Sequence, residues 1–168
     1  MATNVYIQFK TPELKGESTD TKHKDWIEVL SWNHGFSQPT SAVRSTAGGG
    51  TVERANHSDF SFTKYMDSAT DDILKQCWSG KHVEKAQFQC YRSDGADDQN
   101  PALYFQIDME KVIVSNYSVG GGVGDIPVEN ISLSYGKVTY TYYAQDESKG
   151  SQGSAEPVYH DLQNNEIG

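Results

Sequence analysis

The sequence predicts a mainly β domain with one flanking α-helix. Three observations carry that prediction. Apolar and polar residues alternate in stretch after stretch, which is the period of a half-buried strand. Only one segment repeats its apolar residues at helical spacing. Ten tyrosines and fifteen glycines among 168 residues suit pleated walls joined by turns.

Val5, Ile7 and Phe9 alternate with Tyr6, Gln8 and Lys10 and open the chain as a strand; Thr11–Lys24 reads as a polar loop. In the run 25–32, Trp26, Leu30 and Trp32 share one face while Ile27 and Val29 share the other. Both faces are then at least partly covered, as in the wall of a sandwich or barrel. From Asn33 to His57 almost no large apolar residue follows Phe36, and Gly48, Gly49 and Gly50 stand in a row. A structureless loop of that length in a compact domain marks function or disorder. It reads as a mobile surface loop or as an arm that orders against another subunit.

Phe60 and Phe62 resume the alternation. Ser68 to Asp71 then fits a capping box, with Asp71 and Asp72 at the positive end of the helix dipole. Ala69, Ile73, Leu74, Cys77 and Trp78 make one apolar stripe, and Gly80 is the natural stop, so a core-facing helix is predicted over about 69–79. Ala86, Phe88 and Cys90 form another strand, and a turn-rich stretch leads to Ala102–Ala144, the longest patterned segment of the chain. Leu103, Phe105, Ile107 and Met109 share one parity there. After Gly120–Gly122, so do Ile131, Leu133 and Tyr135, and then Val138, Tyr140 and Tyr142. The parity flips at Gly136, which means a tight turn or one long strand with a bulge. A single strand over 130–143 would run roughly 45 Å at about 3.3 Å per residue. Beyond Ala144 the chain turns polar and glycine-rich and reads as a flexible tail over 147–168, in which Val158, Tyr159, Leu162 and Ile167 are able to dock.

A formal charge of −9 argues against a nucleic-acid surface, since such affinity rests on clustered Lys and Arg. No run approaches the ~18 apolar residues of a membrane span, and the first ten residues pattern as a strand rather than a signal peptide. The expectation is synthesis in the cytoplasm and any export without a cleaved signal. Cys77 and Cys90 read as buried free thiols. His57, Ser58 and Asp59 have the residue types of a triad, but neighbours on an extended segment point to opposite faces. His23, His34, His82 and His160 are scattered without metal-ligand spacing. Asp94, Asp97 and Asp98 read as a solvated turn rather than a calcium loop. The glycines at 120–122 and 124 precede neither a helix nor a Lys-Ser/Thr pair, so no phosphate cradle is met. No cofactor, metal or catalytic residue is assigned, and the profile is that of an assembly or binding protein.

Several segments resemble, in order, the haemolysin-coregulated protein (Hcp) family of the bacterial type VI secretion system. They are KGES at 15–18, WIEVLSWNHG at 26–35, GGT at 49–51, HSDFSFTKYMD at 57–67, SGKH at 79–82, KVIVSNYSVGGG at 111–122 and IPVENISLSYGKVTYTY at 126–142. The resemblance covers essentially all of residues 4–146 and implies one domain over 1–146: a two-sheet β barrel with one flanking helix and an extended loop. It implies homo-hexameric rings stacked into a secreted tube that carries effectors, with a spike protein and a contractile sheath as partners. It favours one long bulged strand through Gly136. Gly48, Gly49, Gly50, Thr51 and Arg54 become a stacking arm, and Ser115, Asn116 and Ser118 a face for cargo in the lumen. A phage-type tail tube protein is the near alternative and a hydrolase using His57 a remote one. Deleting Ala47–Thr51 should leave a folded domain while weakening assembly, read as a loss of large species in light scattering.

Overall fold

The computed structural model describes residues 3–40, 54–92, 101–144 and 155–168. The strands run in chain order as β1 (Thr3–Lys10), β2 (Ile27–Glu28), β3 (Ser31–Asn33), β4 (Phe36–Ser37), β5 (Asn56–His57) and β6 (Phe60–Tyr65). The helix α1 (Thr70–Ser79) follows, then β7 (Val83–Arg92), β8 (Ala102–Gly120), β9 (Val128–Ser134), β10 (Lys137–Tyr142), β11 (Val158–Asp161) and β12 (Glu166–Ile167).

Two walls share one strand. The first half of β8 lies in a wall ordered β12-β11-β10-β8-β7-β1-β2, and its second half pairs with β9, which leads through β6 to β3. All these pairings are antiparallel, and β4 with β5 makes a separate two-stranded ribbon. Alternation decides what each wall buries. Ile7, Phe9, Phe88, Ile107 and Met109 face Phe60, Phe62, Ile131 and Leu133 in one core. The mainly β class with two walls and one helix therefore stands, but the expected barrel closure does not. The corner between β2 and β3 is two residues whose amides bond to different walls: Val29 N–H to the Val5 carbonyl at 3.0 Å and Leu30 N–H to Thr63 at 2.8 Å. The chain hands over from wall to wall there without a ladder, so the sheet stays open.

Gly136 is neither a hairpin turn nor the middle of one strand. β9 and β10 run in the same direction along successive halves of β8, and Tyr135-Gly136 is the jog between them. The Gly136 N–H still donates to the Glu110 carbonyl at 2.9 Å, and its own carbonyl accepts from Leu162. Opposite the jog, Lys111 takes a left-handed φ of 55°. The kink therefore involves both strands and turns β8 from one wall to the other.

Three local expectations need correction. The helix does start at Thr70, but Ser68 does not cap it. Instead Asp67 Oδ1 accepts from the Ala69 N–H at 3.0 Å while Thr70 Oγ1 accepts from the Asp67 N–H at 3.1 Å, the same reciprocal box one residue earlier. Trp78 is 79% exposed, because the helix buries the side bearing Thr70, Ile73 and Gln76. Residues 158–167, read as flexible tail, form β11 and β12 against β10. Gly80 does end the helix, in the left-handed conformation at φ 64°.

Asp67 is also one partner of Lys64, which is fully buried. Lys64 Nζ lies 2.7 Å from Asp67 Oδ1 and 2.5 Å from Oε2 of Glu129, itself fully buried on β9. The Tyr117 hydroxyl donates to the other Glu129 oxygen at 2.6 Å. Burial pushes the Glu129 carboxyl up, but hydrogen bonds from Lys64, Tyr117 and Thr70 and the lysine charge outweigh it and hold the carboxyl below its ordinary range. Its contribution to stability is then full above the unfolded carboxylate value and drains as pH falls through the lower folded value. Lys64→Met should cost about 3–5 kcal/mol, because it strands two carboxylates in the interior. Adding Glu129→Leu should recover part of that loss in urea unfolding.

Candidate functional site

The side of the second wall turned away from the core is built from small polar residues, and the register shows why. Across the stretch the rows cover, each strand alternates an aromatic or aliphatic residue inward with a short polar one outward. Thr63 stands opposite Ser31 on β3 and Asn130 on β9, and Asn130 stands opposite Ser118 on β8. One step along, Ser61 stands opposite Asn33 and Ser132, and Ser132 opposite Asn116. Two rows of Ser, Thr and Asn thus cross all four strands. Between them on the other side lie Phe62 and Ile131, both in the core.

Hydrogen bonds between neighbours hold this face flat. The Ser31 and Thr63 hydroxyls are 2.6 Å apart and those of Ser61 and Ser132 2.9 Å apart. Ser115 is the extra residue of a bulge, since Val114 pairs with Leu133 and Asn116 with Ser132. Its hydroxyl donates to Asp59 Oδ2 at 2.6 Å and bonds the Ser132 carbonyl at 3.1 Å. The rows end toward Gly120 in an apolar rim: Val128 and Tyr65 continue the register, with Met66, Val123 and Ile126 beside them, and all five are exposed.

The structure thus places Asn116 and Ser118 in these rows and Ser115 on the bulge beside them. Ser31, Asn33, Ser61, Thr63, Asn130 and Ser132 belong to the same face and were missed. Their signal was present as alternating Ser, Thr and Asn in SWN, FSFTKY and ENISLS, but only the register joins them. Of the arm residues, Arg54 is exposed, while Gly48, Gly49, Gly50 and Thr51 lie outside the described residues, as do Asp94, Asp97 and Asp98.

His57, Ser58 and Asp59 each engage different partners. Ser58 Oγ donates to the Gly35 carbonyl at 2.9 Å, Asp59 takes Ser115, and His57 Nδ1 meets the Tyr135 hydroxyl at 2.7 Å. No nucleophile–base pair forms among the three. The histidines are not all scattered, however. His34, directly after Asn33, is linked through Tyr135 to His57 and onward to His160. Hydrogen bonds across strands remote in sequence assemble this cluster, and no spacing rule finds it.

Comparison with known proteins agrees with this architecture. Residues 6–142 match the family model described as type VI secretion system effector, Hcp. Protein hcp1 of Pseudomonas aeruginosa is 36% identical over 154 residues, covering 91% of each chain. The major exported protein of Pseudomonas aeruginosa is 25% identical over 151 residues, covering 86% of this chain and 82% of its own. A solved structure of a type six secretion system protein superposes with a TM-score of 0.87 at 29% identity, over 99% of this chain and all of that one.

Proposed function

The chain belongs to the Hcp family of type VI secretion proteins, and on that premise we propose that six copies close into a ring. Rings then stack into a hollow tube whose lumen is lined by the polar face of β3, β6, β9 and the second half of β8. The observation that carries this reading is the pair of Ser/Thr/Asn rows. A wall that must pass protein cargo needs short side chains that neither clamp charge nor expose a sticky apolar surface. Here the hydroxyls bond one another across strands, so they stay hydrated and low in relief until a cargo exchanges those bonds for its own.

The apolar rim supports the assembly half of the proposal. Exposed apolar side chains grouped at one end of a sheet mark a surface that another chain covers. The role is structural, with no reaction to catalyse. Partners on this reading are further copies of the chain, effector proteins in the lumen, and the spike and sheath of the secretion machine. Export follows the major exported protein among its relatives.

Electron microscopy of the purified protein should show rings about a central hole; monodisperse monomers at all concentrations would defeat the reading. Each copy carries a formal −9, so stacking should weaken at low salt, where like-charged rings repel over a Debye length of about 30 Å at 0.01 M. Asn116→Arg places a long cation within the polar rows. It should still form rings but co-purify with less effector, and unchanged cargo recovery would remove this face from the lumen.

A further inference from the structure

Among the described residues the largest linked set of titratable side chains lies apart from the polar rows. Tyr140 bonds His34 Nδ1, and His34 Nε2 meets the Tyr135 hydroxyl at 2.8 Å. Tyr135 meets His57 Nδ1 at 2.7 Å, His57 Nε2 meets His160 Nδ1 at 2.8 Å, and His160 Nε2 faces Asn165 Oδ1 at 3.4 Å. With neutral imidazoles and the Asn165 amide oxygen accepting, one consistent direction runs through the whole chain of bonds. His160 donates to Asn165, His57 to His160, Tyr135 to His57, His34 to Tyr135 and Tyr140 to His34. Each bond then holds one proton.

The chain has no vacancy for more protons. One extra proton can be housed only by reversing the bonds back to Tyr140, whose hydrogen then loses its acceptor. A second leaves another hydrogen without an acceptor within the chain of bonds. Among the described residues no backbone ladder joins β5 to β11, which pairs instead with β10 over Val158–Asp161. β4 and β5 pair only with each other, and β12 is a two-residue edge with exposed Ile167. Phe36 packs edge-on against His34 at 4.5 Å and His57 at 4.9 Å, while being 50% exposed.

We propose that this chain is an acid-sensitive latch: with neutral histidines it fastens the hairpin of β11 and β12 to β5 at the base of the arm, and protonation of His57 unfastens it. The described charged groups around it are few. Arg54 acts on His57 from the same segment and opposes its protonation. Asp59 acts on His34 and Tyr135. Lys137 on β10 faces Asp161 on β11. Tyr135 and Tyr140 stay protonated, both pushed up chiefly by burial.

Burial and then His57 pull His34 from 6.5 down to about 4. Burial, then His160 and Arg54, pull His57 down as well. The released histidines bind protons first, so the latch is fully closed above 6.5 and drains as pH falls toward the folded values. This inference stands without the tube reading.

Backbone hydrogen exchange on the whole chain tests it. The amides of Tyr159, Leu162 and Gly168, which bond Gly168, Gly136 and Tyr159, should lose protection about tenfold per pH unit for each proton taken up. The loss should fall between 6.5 and 4, while β6 and β9 keep theirs. His160→Asn puts a non-titrating amide oxygen near the Nδ1 position, and should move the loss down by about one pH unit or more, since each unit is a tenfold change in proton affinity. The proposal is overturned if wild-type protection is flat across that window, or falls together with that of β6 and β9. It is equally overturned if His160→Asn opens at the wild-type pH or leaves the hairpin open at neutral pH.

Discussion

The buried Lys64 ammonium is the constraint on which much of the architecture depends. A lone charge in this core would be untenable, so its partners must arrive together. Glu129 comes from β9, Asp67 from the turn before α1, and the Tyr65 carbonyl, 3.0 Å away, from its own strand. Asp67 in turn caps the helix, and Glu129 receives Tyr117 from β8. One cation thereby fixes the register of β6 on β9, the start of α1 and the placement of the second half of β8. A slip by one residue would turn Glu129 outward and Asn130 inward. The polar rows exist in their present order because that slip is too costly.

The same register explains how a single long strand serves two walls. β8 carries core residues in both halves, Ile107 and Met109 in one and Val112 and Val114 in the other. It changes direction where Lys111 adopts positive φ, close against Gly136. The bulge at Ser115 follows immediately. It brings a hydroxyl to the carboxylate of Asp59, so the corner ends inside the polar face rather than at a frayed edge. Kink, bulge and polar face therefore follow one another along β8.

Much of this was legible in the sequence because alternation reports burial directly. Every long strand, the helix and its Gly80 stop could be read from periodicity, since each depends on neighbours within a few residues. What was misread depended on distant partners. Trp78 has helical spacing that points it at a core which does not extend that far. Ser68 has cap chemistry but loses the position to Asp67, whose carboxylate is already held by Lys64. Closure of the wall failed because Val29 and Leu30 split their amides between two sheets, a choice set by which strands lie near rather than by their own residue types. The polar face was half found for the same reason: Asn116 and Ser118 lie in one readable run, whereas Ser31, Ser61, Thr63 and Ser132 join them only through pairing.

The histidine cluster sharpens that distinction. His34, His57 and His160 occupy a loop and two short strands, and nothing local about them signals chemistry. Their partners, Tyr135 and Tyr140, lie at and just beyond the jog of Gly136, because the parity change there keeps Tyr135 buried as the chain passes from one wall to the other. The kink that lets β8 serve both walls thus also presents two phenols to the histidines. Asp59 bonds the bulge at Ser115 on one side and acts on His34 on the other. One carboxylate thus bonds the bulge beside the polar face and acts on the cluster through its charge. A change of protonation at His34 alters the charge opposing Asp59, and Asp59 holds the bulge residue beside the rows. The hairpin, the described end of the 33–57 segment and the polar face all lie within a few hydrogen bonds of the same kink.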